Sequence, residues 1–187
     1  MKIKATLSSI AILSLMSACS SSSGGNQSFD QLATKGQNII EEYGNADVTP
    51  ESAMPTAGTA TYNGVAAFSD VPSESYIAEN AEAVAALRLE ANFGDSTIGG
   101  KMDNFVDYNN VHAPGSVQIT NGTISGNTFN ANLDGDITIE GEAVSVSGDM
   151  GGGFLGADAN AVAGAIRADL SSGLGTATLY GIFGAEK

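Results

Sequence analysis

The sequence predicts a mainly β fold: a small eight-stranded antiparallel β-barrel preceded by a short N-terminal helix. Three observations carry this. From Thr59 onward, short runs alternate apolar and polar residues, with turn signals between them. Eight such runs follow one another, and eight short strands with one apolar face need closure to avoid free edges. The one segment with a helical period, residues 29–43, stands ahead of them all.

The elements read as follows from the N-terminus. "MKIKATLSSIAILSLMSAC" has a basic start at Lys2 and Lys4, an apolar run to Met16, and then small residues before Cys19. This is the pattern of a secretory signal, residues 1–18, too short for a membrane span. "Met16-Ser17-Ala18-Cys19" resembles a bacterial lipobox. Cys19 is then the lipidated first residue of the mature chain, and several acyl chains there give stable membrane anchoring. It is the only cysteine, so no thiol is left for a disulfide or a nucleophile. Residues 19–27, rich in Ser and Gly, read as a flexible tether.

Residues 28–53 read as an amphipathic helix and linker. Ser28 and Gln31 have capping-box spacing. Phe29, Leu32, Ile39, Ile40 and Tyr43 fall on one face, which is expected to pack on the domain, and Gly44 stops the helix. Pro50 and Pro55 mark the linker. The expected strands are 59–69, 83–94, 96–105, 116–120, 127–133, 137–150, 160–170 and 176–185. Between the first two, residues 71–87 leave a loop or a short helical turn open. "YNNVHAPGS" reads as a turn-rich loop. "LDGDI" carries an Asp-Gly hairpin signal at Asp134-Gly135. A membrane-spanning barrel is disfavoured, because no continuous apolar outer band or aromatic girdle is visible and Trp is absent.

"GGGFLGADANAVAGAI" and the terminal "GIFGAEK" supply the most specific pattern. Gly153, Phe154, Gly156, Ala159, Val162 and Gly164, then Gly181, Phe183, Gly184, Ala185 and Lys187, resemble the C-terminal barrel signature of the transferrin-binding protein B family of surface lipoproteins. "MPTAGTATYNGVAAF" is similar to that family's barrel start, and "LEANFGDSTIGGKM" to its second hairpin. The likeness covers residues 54–187. It departs at Leu155, Ala157, Ala161 and Ala163, where the family often has an aromatic, Pro, Glu and Gly. In the fold these residues read as scaffold: glycines for backbone geometry and Phe154 for the core. The resemblance implies outer-membrane localisation, exposure at the cell surface, and a part in iron acquisition beside an outer-membrane receptor. Full receptors have two lobes, each with a barrel and a handle; this chain has room for one barrel.

Few residues suit catalysis. His112 is the only histidine, and no G-x-S-x-G elbow accompanies it. It reads either as a solvated loop residue or, since some small relatives of the family bind haem, as a haem ligand with Tyr108 or Met102 nearby. Otherwise no cofactor is expected. Asp134/Asp136 and Glu140/Glu142 are spaced to share a strand face and hold Ca²⁺ weakly, but a polar hairpin explains them as well, and no metal site is expected. "GDSTIGGK" is a near miss for a phosphate-binding loop, with its Lys one place late.

The chain carries 7 basic and 21 acidic residues, a formal charge of −14; without residues 1–18 the count is 5 − 21 = −16. That surface repels nucleic acid. The expected function is therefore non-catalytic: a lipid-anchored protein of the bacterial outer membrane capturing an iron source, either a host or haem-carrying protein or haem itself, or another small ligand. The alternative is a structural or interaction lipoprotein of the envelope without a soluble ligand.

Overall fold

A computed structural model describes residues 26–173 and 175–187. The expected signal, residues 1–18, and Cys19 lie outside the described residues, as does all of the tether but residues 26 and 27.

Eight antiparallel strands form a closed barrel in simple sequential order: β1 (Thr59–Ser69), β2 (Ala83–Asn92), β3 (Thr97–Asp107), β4 (His112–Ser125), β5 (Thr128–Ile139), β6 (Glu142–Leu155), β7 (Ala161–Ser172) and β8 (Gly175–Glu186). β1 pairs with β8 from Asn63↔Glu186 to Ser69↔Tyr180, which closes the sheet and removes both edges. Strand alternation then fixes the inside. Tyr62, Ala66 and Phe68 of β1 point inward and are buried, as are Leu87 and Leu89 of β2 and Leu133 and Ile137 of β5. Much of the outer wall of β2–β7 is polar, with Arg88–Glu90, Lys101–Asp103 and Arg167–Asp169 ion pairs running along it. All three pairs are half-exposed and add little stability.

The helix α1 (Phe29–Tyr43) has the expected bounds. The Ser28 and Gln31 capping box is closed in both directions: the Gln31 N–H donates to Ser28 Oγ, and the Ser28 N–H donates to Gln31 Oε1. Leu32 is fully buried against Val65, Val84 and Val106, which face outward from β1, β2 and β3. Burying that one leucine is worth about 1.5–3 kcal/mol. Ile39 packs on Gly184 of β8, so α1 crosses the wall of β2, β1 and β8. Ile40, expected on the packed face, is instead 52% exposed. Lys35 is partly desolvated on the wall, which lowers its pKa, and Glu186 raises it back in part. A second helix, α2 (Glu74–Asn80), lies between β1 and β2 and buries Ile77.

Two strand readings differ from expectation. Asp134-Gly135 is not a turn; both residues lie inside β5, paired with Gln118 and Val117 of β4. A Cβ at Gly135 would strike the Ser116 carbonyl, so the glycine serves close strand approach. The hairpin falls six residues later, at Glu140-Gly141, both with positive φ (52° and 85°), the mirror-type turn a two-residue hairpin needs. Consequently β6 starts at Glu142 rather than 137, and Glu140 shares no strand face with Glu142. The other difference is β4, which is longer than expected and takes in His112.

Candidate functional site

The barrel has two unlike ends. At one, the connections 93–96, 126–127 and 156–160 meet the start of β1 and the end of β8. Phe154 sits at the centre here, with no exposed surface. Its ring centroid lies 6.0 Å from Tyr62, 5.7 Å from Phe93 and 5.6 Å from Phe129, and Phe129 in turn is 6.0 Å from Phe183. Tilted rings at these spacings add to the value of their burial. The Tyr62 hydroxyl donates 2.8 Å to the Ala159 carbonyl, and burial pushes its pKa well above the usual phenol value.

The chain then straps this end. Residues 45–58 follow α1 across it. The Thr49 N–H donates to the Phe154 carbonyl (2.8 Å), Thr49 Oγ1 donates to the Gly156 carbonyl (2.6 Å), and Asn127 Nδ2 donates to the Thr49 carbonyl (2.8 Å). Thr49 is wholly buried, so these bonds meet a real need. Lys187 adds a bond to the Asp158 carbonyl at 2.7 Å, and its ammonium lies 5.9 Å from the Tyr62 ring centroid.

The sequence motif of β6–β8 is found mainly here. Gly153 pairs with Thr128, Phe154 is the hub, Gly156 turns at φ 81°, and Ala159, itself at φ 52°, offers its carbonyl to Tyr62. A Cβ at Gly164 would strike the Gly151 carbonyl. Gly181 leaves room for the ring of Phe68, and Gly184 for Ile39.

The opposite end is formed by the connections 70–82, 108–111 and 140–141 and by Gly173 after β7. Here the interior holds a cavity of about 350 Å³. Its walls are apolar: Phe68, Met102, Val117, Val146, Ala168 and Leu179 are among them, and all eight strands contribute. Asp107, Asn109, Val111, His112, Ile139 and Glu140 surround the mouth. Val111 is 58% exposed and Ile139 40% exposed; Tyr108, in the same turn as Val111, is 64% exposed. The connections at this end carry Asp70, Glu74, Glu79 and Glu82 and neither Lys nor Arg.

His112 opens β4 opposite Val106 and is partly buried, not a free loop residue. Its Nδ1 is buried without a hydrogen-bond partner. Met102, 1% exposed, lines the same cavity; Tyr108 does not. Asp134 and Asp136 are exposed outside the barrel, and Asp136 accepts from Ser145 Oγ at 2.8 Å. Among the described residues no group of three or more His, Cys, Asp or Glu is placed to hold a metal ion. Sequence reasoning left open whether the interior is filled by side chains or holds a small ligand, and it did not place the cavity. One signal was available: every aromatic of the C-terminal motif maps to the sealed end, and small residues such as Ala83, Ala113 and Ala168 to the other.

The model of the C-lobe and N-lobe β-barrels of Tf-binding protein B matches residues 54–187. The chain belongs to this family. Among solved structures, a point mutant of the vaccine antigen transferrin-binding protein B from Haemophilus parasuis Hp5 is 24% identical, over 75% of this chain and 28% of that one, with a TM-score of 0.47. A double mutant of the same antigen gives the same figures. Intact Ap-TbpB, with its N and C lobes, is 21% identical over the same shares, with a TM-score of 0.43. The chain thus spans 28% of the length of these structures. No curated protein matches it. The family is one of binding proteins.

Proposed function

We propose that this protein is a lipid-anchored binding protein of the bacterial outer membrane, held at the cell surface, that receives its ligand at the open end of the barrel and performs no catalysis. One observation carries the reading: a barrel of the Tf-binding protein B family is sealed by a ring cluster and a strap at one end and hollow and apolar at the other. Small-molecule sites are concave, mostly apolar and few per protein, and barrel mouths are among their usual places. Anchoring through Cys19 and surface exposure are supported by the lipobox and by family membership. Membership also suggests a host iron carrier as partner, since the relatives are named for transferrin. Such a partner would meet the acidic outer wall with a basic patch, in contacts that weaken with salt.

Added protease tests the reading on intact cells making the full chain. Digestion of the barrel is the expected result. A barrel protected until the outer membrane is opened overturns the surface assignment. Cys19→Ser should leave unprocessed precursor; a variant still recovered as mature lipoprotein overturns the anchor.

Haem is a narrower reading of the same end. It is favoured by His112 and Met102 lining one cavity and by the unpartnered His112 Nδ1. The acids around the mouth oppose haem propionates. Haemin titration decides: a Soret shift saturating near one equivalent and lost in His112→Ala supports haem, and a band matching free haemin ends it.

A further inference from the structure

We propose that the open end takes a single acyl chain of an uncharged or zwitterionic lipid, drawn from the membrane to which the protein is tethered. The inference rests on the open-end reading above and names the ligand class of that site.

Three observations point to it. The first is size and lining. An apolar cavity of about 150 Å³ holds benzene; by that scale about 350 Å³ holds a chain on the order of a dozen carbons. The deep walls, including Met102, Val117, Val146 and Ala168, offer no charged group. A polar headgroup therefore stays at the rim.

The second is charge. Asp107 and Glu140 stand at the mouth, and Asp70, Glu74, Glu79 and Glu82 lie in the connection 70–82 on the same side, with neither Lys nor Arg in any connection at this end. A free fatty acid or an anionic phospholipid would bring a negative head to these carboxylates. A neutral or zwitterionic head escapes that repulsion.

The third is where the chain leaves the barrel. Gln27 is fixed beside this end, its carbonyl accepting from Asn104 Nδ2 at 3.2 Å. The Phe29 N–H donates 2.9 Å to Oδ1 of Asn110, in the β3–β4 turn. Seven residue steps separate Cys19 from Asn26 (26 − 19 = 7), a reach of at most about 25 Å. An anchor at Cys19 thus holds Asn26, and with it the end of the barrel that carries Tyr108, Val111 and Ile139, within about 25 Å of the lipid surface.

The test uses the full lipidated chain in phosphatidylcholine vesicles, with a trace of lysophosphatidylcholine bearing a diazirine at the end of its acyl chain. After irradiation, the labelled residues are mapped by mass spectrometry. Insertion predicts label on the deep wall, at Met102, Val117 or Val146. Ala168→Phe fills the cavity and should cut that label at least tenfold. Should that variant fold poorly, Val111→Glu with Ile139→Glu changes only exposed rim positions and should cut it severalfold. Lysophosphatidylglycerol with the same diazirine should label the wall severalfold less.

Label confined to the rim, or deep label unchanged in the variants, overturns the proposal. Equal deep label from the anionic lipid overturns its charge selectivity. A small neutral aromatic photoprobe separates the two readings. If it labels the deep wall and Ala168→Phe removes that label while the lysolipid never reaches it, the open-end site stands and the acyl-chain proposal falls. If neither reagent reaches the wall, both fall.

Discussion

The two ends of this barrel are built from the same strands and the same alternation, yet one is filled and the other is not. At the sealed end five rings converge, and the strap of residues 45–58 satisfies the exposed backbone of β6 and its turn through Thr49. At the open end most inward residues are aliphatic or small, Phe68 and Phe105 being the aromatics, and among the described residues no strap crosses. Inward-facing pattern therefore decides that a barrel forms. Side-chain volume at each level decides whether it is a packed core or a receptacle. The motif that identifies the family lies mainly at the packed end, where it holds the shape. The hollow end draws less on the family-like stretches, of which Phe68 and Met102 line its cavity.

The contrast can be broken first at its hub. Phe154→Ala should cost about 3–5 kcal/mol, because the ring is fully buried among three others. Leu179→Ala, on the wall of the open cavity and only partly buried, should cost about 1 kcal/mol or less, since no packed neighbour layer is lost. Equal losses in urea unfolding would mean that the two ends are alike.

Gly164→Ala comes next. Its new methyl meets the Gly151 carbonyl, a backbone atom that cannot swing aside, so a loss of about 1–3 kcal/mol is expected in the same measurement. An unchanged midpoint would show that β6 and β7 have room to part. Tyr62→Phe removes only the hydroxyl and leaves the Ala159 carbonyl unpaired in the core; about 1–2 kcal/mol should be lost. The smallest effect is expected on the outer wall. Lys35 has a lowered pKa because the folded state disfavours its charge. The unfolded chain then binds more protons between the folded value and the usual 10.5, so this group's contribution becomes more favourable as pH rises through that window. Lys35→Met should remove that pH dependence and raise the thermal midpoint by no more than about 2 °C. A fall in the midpoint would show that the ammonium holds a favourable contact there.

Much of this was legible in the sequence. The capping box and apolar period of α1 gave its bounds, and eight alternating runs gave the strand count. Other parts were not legible, for physical reasons. Asp-Gly favours a hairpin turn, but Gly135 is needed for close approach of β4, and the tertiary demand outweighed the local signal. His112 beside Pro114 and Gly115 reads as loop, yet pairing with Val106 extends β4 through it. Alternation could not place the cavity, because Met102, Val146 and Ala168 alternate along their strands just as core residues do; only the uneven distribution of ring and small side chains between the two ends hinted at it. Alternation reports which way a side chain points, not whether anything fills the space in front of it.

Amide hydrogen exchange on the full chain in phosphatidylcholine vesicles, with and without lysophosphatidylcholine, tests the central claim most directly, because it reads both ends at once. The account predicts that the strand segments around Tyr62, Phe129 and Phe154 are among the most protected and do not respond to the lipid, while the segments around 107–112 and 139–142 exchange quickly and slow when it is added. Slowing at 93–96, 126–127 or 156–160 instead, or fast exchange around Phe154, would contradict it.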